Sequence, residues 1–382
     1  MRIAIDAREL SGKPTGVGRY LRQLLLAWNE MPAAAAHEFV LCTTVSRRPD
    51  MAGATPPDAY EAHPAGIELS NLKVQRREGR LCGPFWEQLS LPLIAGDANI
   101  LFAPAYSGPL AIAVPTVLTI HDVSFAAHPE WFAWREGLRR RLLTRASAKR
   151  AARVLTVSDF SKREIVRRLG IYPDKVEVIY SGIHQVIPTG APPGTDRSIT
   201  RDSHPLVLFV GSIFNRRHVP ELIRGFALLA QRYPGARLTI VGDNRTLPRA
   251  DLPALVAESH VAERIHIREY ISDEELASLY GEASAFAFLS DYEGFGFTPL
   301  EALAAGVPPV VLDTEVAREI YGPSAAYVAS PDPAQIAASL ESVLTDQAER
   351  QRILTAAPRV LARYSWRECA HRTLQVLLSC AT

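Results

Sequence analysis

Two glutamates and two glycines lie close together in the second half of the chain, where they could bind a phosphorylated ligand. Glu293 precedes a turn that contains Gly294 and Gly296, and Glu301 follows Glu293 by eight residues. The apolar run before the turn predicts a strand, and the helix formers after it predict a helix. A strand, a glycine turn and a helix N-terminus present unpaired N–H groups and a positive dipole end, which favour a phosphate.

A capping box is the alternative interpretation of the same residues. Thr298 is placed to cap the helix, Pro299 suits its first position, and Glu301 lies three residues after Thr298. In this interpretation Glu301 only accepts a hydrogen bond from a backbone N–H group at the start of the helix. In the other, it accepts a hydrogen bond from a ribose or sugar hydroxyl.

Two adjacent arginines, Arg216 and Arg217, follow a predicted strand at Leu206–Val210 and precede a predicted helix at 220–231. Guanidinium groups pair with phosphate through two parallel hydrogen bonds. The position therefore suits a diphosphate clamp, although a basic pair on the surface fits the sequence equally well.

The first half of the chain contributes a glycine loop and a histidine. Gly16 and Gly18 open a predicted helix, where they can approach a phosphate closely or merely permit a turn. His121 follows a predicted strand at 115–120, and ligands gather at the carboxyl ends of strands in open α/β sheets. Its imidazole can donate to a sugar hydroxyl or a phosphate, or serve the structure alone.

Composition limits the classes of protein that fit. The chain has 382 residues, enough for two domains, and its net charge of +1 gives no general attraction for nucleic acid. The four cysteines form no C-x-x-C pair, which argues against a structural zinc or redox site. We expect a cytoplasmic protein, because no signal-peptide core and no apolar run of about 20 residues is present.

The predicted elements alternate between strands and helices, which predicts an α/β protein with parallel sheets. Apolar periodicity stops in a segment rich in Pro, Gly, Ser and Thr, which we take as the linker. The predicted organisation is an N-terminal domain at 1–188, a linker at 189–205, a second domain at 206–360, and a C-terminal helix at 361–382 that packs back toward the first domain.

A basic segment at 135–153 carries eight Lys and Arg residues against the single acid Glu136, with leucines interleaved and Trp131 and Trp134 just before it. Such an amphipathic helix can lie on an anionic membrane surface. A solvated helix face is the alternative, and the sequence favours neither.

Taken together, these motifs resemble those of family-4 retaining glycosyltransferases of the GT-B architecture. The resemblance covers nearly the whole chain and rests on Glu293 and Glu301, which match the family's E-x7-E spacing, and on four further segments. These are Gly16–Tyr20, His121–Asp122, Val157–Ser161, and Gly211 with Arg216–Arg217.

The resemblance implies two Rossmann-like domains whose parallel sheets face an interdomain cleft. The second domain would bind a nucleotide-sugar donor, with Glu301 on the ribose and Glu293 facing the transferred sugar. Arg216 and Arg217 would hold the diphosphate.

Further roles follow from the same resemblance. Backbone N–H groups near Phe295 and Gly296 would also contact the diphosphate, and Ile271 would lie by the base. In the first domain, Gly16 and Gly18 would close on the phosphates, and His121 would contact and position the sugar. His121 and Glu293 are thus the predicted catalytic pair. Neither a resident cofactor nor a divalent metal is implied, because the arginines take the metal's role.

The function implied by the resemblance is retaining transfer of a hexose to a glycan or lipid-linked acceptor in cell-surface polysaccharide synthesis, at the inner face of the membrane. Mannose from GDP-mannose is the first expectation, with UDP-glucose and UDP-N-acetylglucosamine as alternative donors. A sugar-nucleotide epimerase and a non-catalytic nucleotide-sugar binding protein are the other hypotheses.

Overall fold

The computed structural model describes residues 1–11, 15–44, 67–79, 81, 85–183 and 203–381. The chain divides into two compact units. Unit 1 comprises Met1–Pro129, Ala133–Gly182 and Tyr364–Thr382, and unit 2 comprises Glu130–Phe132 and Ile183–Arg363. Most of the predicted linker, residues 189–202, lies outside the described residues, as does Cys82.

Unit 1 is built on a sheet of seven parallel strands in the order β3-β2-β1-β4-β5-β6-β7. The strands are β1 (Arg2–Asp6), β2 (Glu38–Thr44), β3 (Lys73–Gly79), β4 (Ile100–Ala103), β5 (Thr116–Thr119), β6 (Arg153–Thr156) and β7 (Val176–Val178). The central strand β1 buries Ile3, Ala4 and Ile5 completely, as expected for a parallel sheet that is covered on both faces.

The helices of unit 1 are α1 (Gly16–Asn29), α2 (Pro32–Ala35), α3 (Leu91–Ala95), α4 (Ser124–Ala127), α5 (Trp134–Arg150), α6 (Asp159–Leu169) and α14 (Trp366–Cys380). A π-helical segment, Trp86–Ser90, leads directly into α3. The last helix belongs to this unit because it packs against α1, where the indole of Trp28 donates to the carbonyl of Ala370 at 2.8 Å.

Unit 2 is built on six parallel strands in the order β10-β9-β8-β11-β12-β13. They are β8 (Leu206–Val210), β9 (Arg237–Val241), β10 (Ile265–Arg268), β11 (Ala283–Phe288), β12 (Pro309–Leu312) and β13 (Ala326–Val328). The strand that the sequence predicts at Leu206–Val210 is confirmed as β8, with the same bounds.

The helices of unit 2 are α7 (Val219–Arg232), α8 (Leu252–Glu258), α9 (Asp273–Glu282), α10 (Phe297–Ala304), α11 (Glu315–Tyr321), α12 (Pro333–Thr345) and α13 (Gln347–Leu361). In α7 one face is fully buried through Leu222, Phe226 and Leu229, which follow the spacing of an amphipathic helix.

The predicted basic helix is shorter than its sequence pattern. It begins at Trp134 and ends at Arg150, and Arg153 lies in β6 instead. Within the described part of the chain, neither this helix nor any other is long and apolar enough to cross a membrane.

Candidate functional site

In unit 2 the predicted arginine pair and the glycine turn lie at the carboxyl ends of two neighbouring strands. Arg216 and Arg217 form a short 3-10 turn after β8, and the turn with Glu293 follows β11. A backbone hydrogen bond joins the two loops, from the N–H of Asp291 to the carbonyl of Arg216 at 2.9 Å. Residues 76 positions apart in sequence thereby share one site.

Arg217 is committed to protein partners. Its Nε and Nη2 contact Glu293 Oε1 at 2.9 and 2.8 Å, and its Nη1 donates to the carbonyl of Ser212 at 2.8 Å. Burial lowers the pKa of this guanidinium, and the charge of Glu293 opposes that effect. Gly211 leaves room for the Arg217 guanidinium, because a Cβ at position 211 would lie 2.6 Å from Arg217 Nη1. The backbone there also has φ of +140°, which favours glycine.

Arg216 is held differently. Its Nε donates to the carbonyl of Tyr292 at 3.1 Å, and its guanidinium lies 4.5 Å from the ring centroid of Phe214. These contacts orient the guanidinium through its Nε and through its stacking on Phe214. The two Nη groups then form a fork of the kind that pairs with phosphate oxygens. Of the two predicted phosphate ligands, the geometry therefore favours Arg216.

Glu293 is oriented through one oxygen. Besides Arg217, the hydroxyl of Ser290 donates to Oε1 at 2.9 Å, and Arg216 Nε lies 3.9 Å from the same atom. Within the described part of the chain all these contacts fall on Oε1, and none of them involves Oε2. A small cavity adjoins the carboxylate, and Ser290, Phe295 and Tyr321 are among its lining residues.

The helix after the glycine turn begins earlier than the sequence predicts. The N-cap of α10 is Gly296, at φ +83°, so the predicted cap at Thr298 and the capping-box interpretation are both wrong. Tyr321 explains the difference, because its hydroxyl donates to the carbonyl of Gly296 at 3.1 Å and would lie 2.1 Å from a Cβ there. The first turn of α10 therefore presents backbone N–H groups with no side-chain cap from Gly296.

Glu301 lies within α10 and is buried, with 1% of its surface exposed. Its Oε2 accepts a hydrogen bond from the hydroxyl of Tyr280 at 3.3 Å. Ile271, in the loop after β10, and Phe295, in the glycine turn, are buried as well. Ile271 and Phe295 thus lie in the loops that follow two strands, Glu301 lies in the helix after the second loop, and their contacts with ribose, base and diphosphate stay predictions.

His218, which the sequence does not single out, ties the arginine turn to the glycine turn. Its Nε2 lies 2.6 Å from Asp291 Oδ2, and its Nδ1 lies 3.6 Å from Glu221 Oε2. Burial alone would lower the pKa of His218, but the hydrogen bonds with the two carboxylates outweigh it and raise the pKa to about 9. The imidazolium is the expected form at neutral pH.

In unit 1, His121 lies at the carboxyl end of β5. Its Nε2 lies 2.9 Å from the carbonyl of Pro104, and because a carbonyl only accepts, Nε2 carries the proton. Burial lowers the pKa of His121, so the neutral ring is favoured and Nδ1 keeps its lone pair. The ring packs edge-on against Tyr20, with centroids 4.8 Å apart. The geometry thus prepares Nδ1 to accept a hydrogen bond.

Gly16 and Gly18 open α1, as predicted, yet they differ in their surroundings. Thr15 caps this helix by accepting from the N–H of Gly18 at 2.9 Å, and a Cβ at Gly18 would lie 2.4 Å from the carbonyl of Glu9. Gly16 has open space around it. Close packing accounts for Gly18, and the predicted approach of this loop to phosphate is not needed to explain it.

The sequence interpretation misses a polar network at the same edge of the unit 1 sheet. Arg8, in a short turn after β1, lies between the carboxylates of Asp6 and Glu87, and Ser107 donates to Glu87 at 2.8 Å. Burial raises the pKa of Asp6. Two nearly buried carboxylates thus share one arginine. An acidic residue at the end of β1 is the only signal that the sequence offers for this network.

The described residues contain no group of three or more His, Cys, Asp and Glu side chains placed to hold a metal ion.

Comparison with known proteins assigns both halves of the chain. Residues 14–185 match the family described as Glycosyltransferase Family 4, and residues 196–360 match the family described as Glycosyl transferases group 1. The uncharacterized glycosyltransferase MJ1607 of Methanocaldococcus jannaschii is 30% identical over 239 residues, which are 60% of each chain. The O-antigen chain mannosyltransferase RfbU of Salmonella typhimurium is 25% identical over 248 residues, 65% of each chain. The chain thus matches less than two thirds of the length of these two curated relatives.

A solved structure shows the same fold. Alr3699/HepE of Anabaena, in complex with UDP and glucose, superposes with a TM-score of 0.71 at 18% sequence identity. The superposition covers 99% of this chain and 100% of that one. Two α/β units with parallel sheets of seven and six strands confirm the predicted GT-B architecture.

Proposed function

Since this chain belongs to the glycosyltransferases, we propose that it transfers a hexose from a nucleotide-diphosphate sugar to a glycan or a lipid-linked acceptor, with retention at the anomeric carbon. The proposed donor is GDP-mannose, which the similarity to an O-antigen chain mannosyltransferase supports. UDP-glucose and UDP-N-acetylglucosamine are the alternative donors. We place the reaction in polysaccharide synthesis at the inner face of the cytoplasmic membrane.

One observation carries the proposal: the loops after β8 and β11 bring Arg216, Arg217 and Glu293 together beside the N-terminus of α10. A fork of N–H donors and a helix dipole end both favour the diphosphate. Beside them, a carboxylate oxygen is available for a sugar hydroxyl. This combination of groups fits a nucleotide-diphosphate sugar better than it fits either a free nucleoside or a neutral sugar.

In the proposed reaction the bond between the anomeric carbon and the β-phosphate oxygen breaks, and negative charge builds on the leaving diphosphate. An acceptor hydroxyl oxygen bonds to the anomeric carbon, and the proton of that hydroxyl passes to the leaving phosphate oxygen. Arg216 and the N–H groups at the start of α10 would stabilise that charge, as fixed dipoles and cations do in other transfer reactions. They would also take the role that a divalent metal has in metal-dependent transferases. Arg217 would hold the carboxylate of Glu293 against the sugar without touching the phosphate.

Unit 1 would supply the acceptor side. His121 presents an unprotonated Nδ1, and Asp122, the next residue, accepts from the hydroxyl of Tyr106 at 2.9 Å. Carboxylates and a neutral imidazole accept hydrogen bonds from hydroxyl groups, which are what a saccharide offers. We therefore propose that this sheet edge contacts sugar hydroxyls, with His121 positioning the transferred hexose.

The test is a transfer assay with radiolabelled GDP-mannose, UDP-glucose and UDP-N-acetylglucosamine, using membrane lipid extract as the acceptor source and EDTA in one arm. The proposal predicts label in the lipid-linked fraction from GDP-mannose, unchanged by EDTA, and its loss in Glu293→Gln. Label from a UDP-sugar would change the donor and keep the reaction class. An epimerised free nucleotide sugar without acceptor, or binding without turnover of any donor, would overturn the proposal.

A further inference from the structure

The orientation of Arg216 depends on the backbone of a second loop. Arg216 Nε donates to the carbonyl of Tyr292 at 3.1 Å, and the N–H of Asp291 donates to the carbonyl of Arg216 at 2.9 Å. Two successive residues of the glycine turn thus hold one residue of the arginine turn. A shift of Asp291 and Tyr292 would therefore also move the guanidinium that is proposed to bind the diphosphate.

His218 holds the same stretch of backbone through the side chain of Asp291. Its Nε2 lies 2.6 Å from Asp291 Oδ2, and because an ionised carboxylate only accepts, Nε2 carries the proton. This is a short, charge-assisted hydrogen bond. His218 is the N-cap residue of α7, yet its side chain makes no capping hydrogen bond to that helix. The imidazole therefore contributes to the contact between the two turns and not to the helix start.

The backbone of His218 is in an uncommon conformation. Its φ of +48° and ψ of +39° lie in the left-handed region, which residues other than glycine seldom adopt. Such a conformation costs free energy and persists where the surroundings impose it, often at functional sites. Here it ends the 3-10 turn that contains both arginines and begins α7 at Val219. The contact with Asp291 helps to hold this strained residue in place.

The opposite side of the arginine turn is attached by neutral hydrogen bonds. Asn215 Oδ1 accepts from the N–H of Leu247 at 2.7 Å, and the N–H of Arg245 donates to the carbonyl of Ile213 at 2.8 Å. These bonds join the turn to the loop after β9. Because this side is attached to a neighbouring strand end, the main freedom left to the turn is its approach to the glycine turn.

The contact between His218 and Asp291 is more exposed than the residue that it supports. The two side chains are 20% and 40% exposed, whereas that of Arg216 is 12% exposed. A partly exposed ion pair contributes little to global stability. A binding group, in contrast, needs surrounding contacts that hold it within about 0.5 Å of its productive position. The effect of this pair is therefore expected in ligand binding more than in folding.

We propose that His218 and Asp291 are positioning residues for the sugar donor, whose contact fixes the fork of Arg216 before the diphosphate binds. This inference rests on the proposed function, because it takes a nucleoside diphosphate as the ligand of Arg216. His218 itself would not touch the phosphates. Its Nδ1 lies 3.6 Å from Glu221 Oε2, so both ring nitrogens face carboxylates. Without the pair, the fork would have to be ordered during binding, which lowers affinity.

Calorimetric titration with GDP tests this role without a sugar donor or an acceptor. We expect His218→Asn and Asp291→Ala each to weaken GDP binding about fivefold. Asparagine tolerates the left-handed conformation, so His218→Asn removes the imidazole and preserves the turn. The double variant should lose no more than either single variant, because all three lack the same contact. His266→Asn, at an exposed histidine in β10 of the same unit, is the matched control and should bind as the wild type does.

The sign of the effect in Asp291→Ala separates positioning from simple electrostatics. If the two side chains acted only through their charges, removal of a carboxylate near the diphosphate would tighten GDP binding. Positioning predicts weaker binding in spite of the lost negative charge. Tighter binding by Asp291→Ala, or losses that multiply in the double variant, would overturn the inference.

A variant that already lacks the fork tests whether the pair acts through Arg216. In Arg216→Gln, the additional change His218→Asn should cause no further loss of GDP affinity. A further fivefold loss would overturn the inference, because the pair would then support binding by another route. Far-UV circular dichroism and the melting curve of each variant check that it folds, which changes at a partly exposed pair should preserve.

Failure of this inference and failure of the proposed function give different results. Equal GDP affinity of the wild type and both single variants would refute the positioning role and leave the proposed transfer standing. The expected pattern of affinities, without transfer from any sugar donor, would refute the proposed function alone. A wild type that binds neither GDP nor UDP would refute both.

Discussion

Both units place polar groups at the carboxyl edge of a parallel sheet, but the two edges have opposite charge balances. In unit 2, Arg216 and Arg217 surround the single carboxylate of Glu293. In unit 1, the carboxylates of Asp6 and Glu87 surround the single guanidinium of Arg8. The same architecture thus yields one cluster in which two guanidiniums flank a carboxylate and another in which two carboxylates flank a guanidinium.

Under the proposed function, this difference would divide the binding of donor and acceptor between the two units. Two guanidiniums beside a helix N-terminus suit a diphosphate. An edge with surplus carboxylate and the neutral ring of His121 suits hydroxyl groups, which donate to such acceptors. A sugar transferase needs both kinds of edge, one for its donor and one for its acceptor. The following predictions test that contrast, beginning with the largest expected effect.

Arg217→Leu should damage unit 2 most, because it leaves the carboxylate of Glu293 with little compensation in a largely buried position. Breaking a buried ion pair costs about 3 kcal/mol of unfolding free energy. Chemical denaturation followed by tryptophan fluorescence measures this loss. The double variant Arg217→Leu/Glu293→Leu should recover part of it, and an equal loss in both variants would show that the pair is not coupled.

His121→Ala should lower turnover about 100-fold, the size expected when one positioned hydrogen-bonding group is lost at a reacting sugar. Affinity for the nucleoside diphosphate should stay unchanged, because the diphosphate groups are assigned to unit 2. Steady-state transfer kinetics and calorimetric titration with GDP separate the two effects. A loss of GDP affinity that equals the loss of turnover would show that His121 contributes to diphosphate binding, which the account assigns to unit 2.

Arg216→Gln should weaken nucleoside diphosphate binding about 30-fold while the fold stays intact, because one charge-assisted fork is worth about 2 kcal/mol. Arg8→Gln is the matched change at the other edge and should leave this affinity within about twofold. Calorimetric titration with GDP compares the three proteins. If both substitutions weaken GDP binding equally, the diphosphate cannot be assigned to the unit 2 edge alone.

The pH dependence of unit 2 should depend on His218, whose pKa is raised to about 9 from an ordinary value of 6.5. Its stabilising contribution is fully present below pH 6.5 and is lost as the pH rises through about 9. Because Asp291 is partly exposed, we expect a loss of only about 1 kcal/mol between pH 6.5 and pH 9.5. Urea unfolding across this range should show the loss in the wild type. The same slope in His218→Gln would assign the pH dependence to another group.

Much of the fold could be predicted because it depends on local patterns. The apolar run of β8 agrees with its predicted bounds, and α6 starts with the side chain of Ser158 accepting from the N–H of Ser161. These features involve residues within a few positions of each other. Spacing alone therefore determines them.

The features that the sequence did not predict depend on distant partners. Gly296 caps α10 where Tyr321 packs against it, and Arg217 contacts Glu293 because two strands lie side by side. The helix at Leu91–Ala95 shows the same limit, because Leu91 is buried while Leu93 is exposed, and apolar periodicity cannot say which of two apolar faces is buried. Contacts across 25 or 76 residues of chain are set by tertiary packing, not by local pattern.

A thermal-shift measurement with GDP, UDP, ADP, dTDP and GMP, all in EDTA, tests the assignment of unit 2 most directly. A ligand that binds only the folded state stabilises it by about 2.7 kcal/mol at one hundred times its dissociation constant. The account predicts that GDP raises the melting temperature most and that GMP, without the second phosphate, raises it little. A preference for UDP would change the proposed sugar and keep the site. No shift with any nucleoside diphosphate, or equal shifts with GDP and GMP, would contradict the assignment of the diphosphate to the edge formed by β8, β11 and α10.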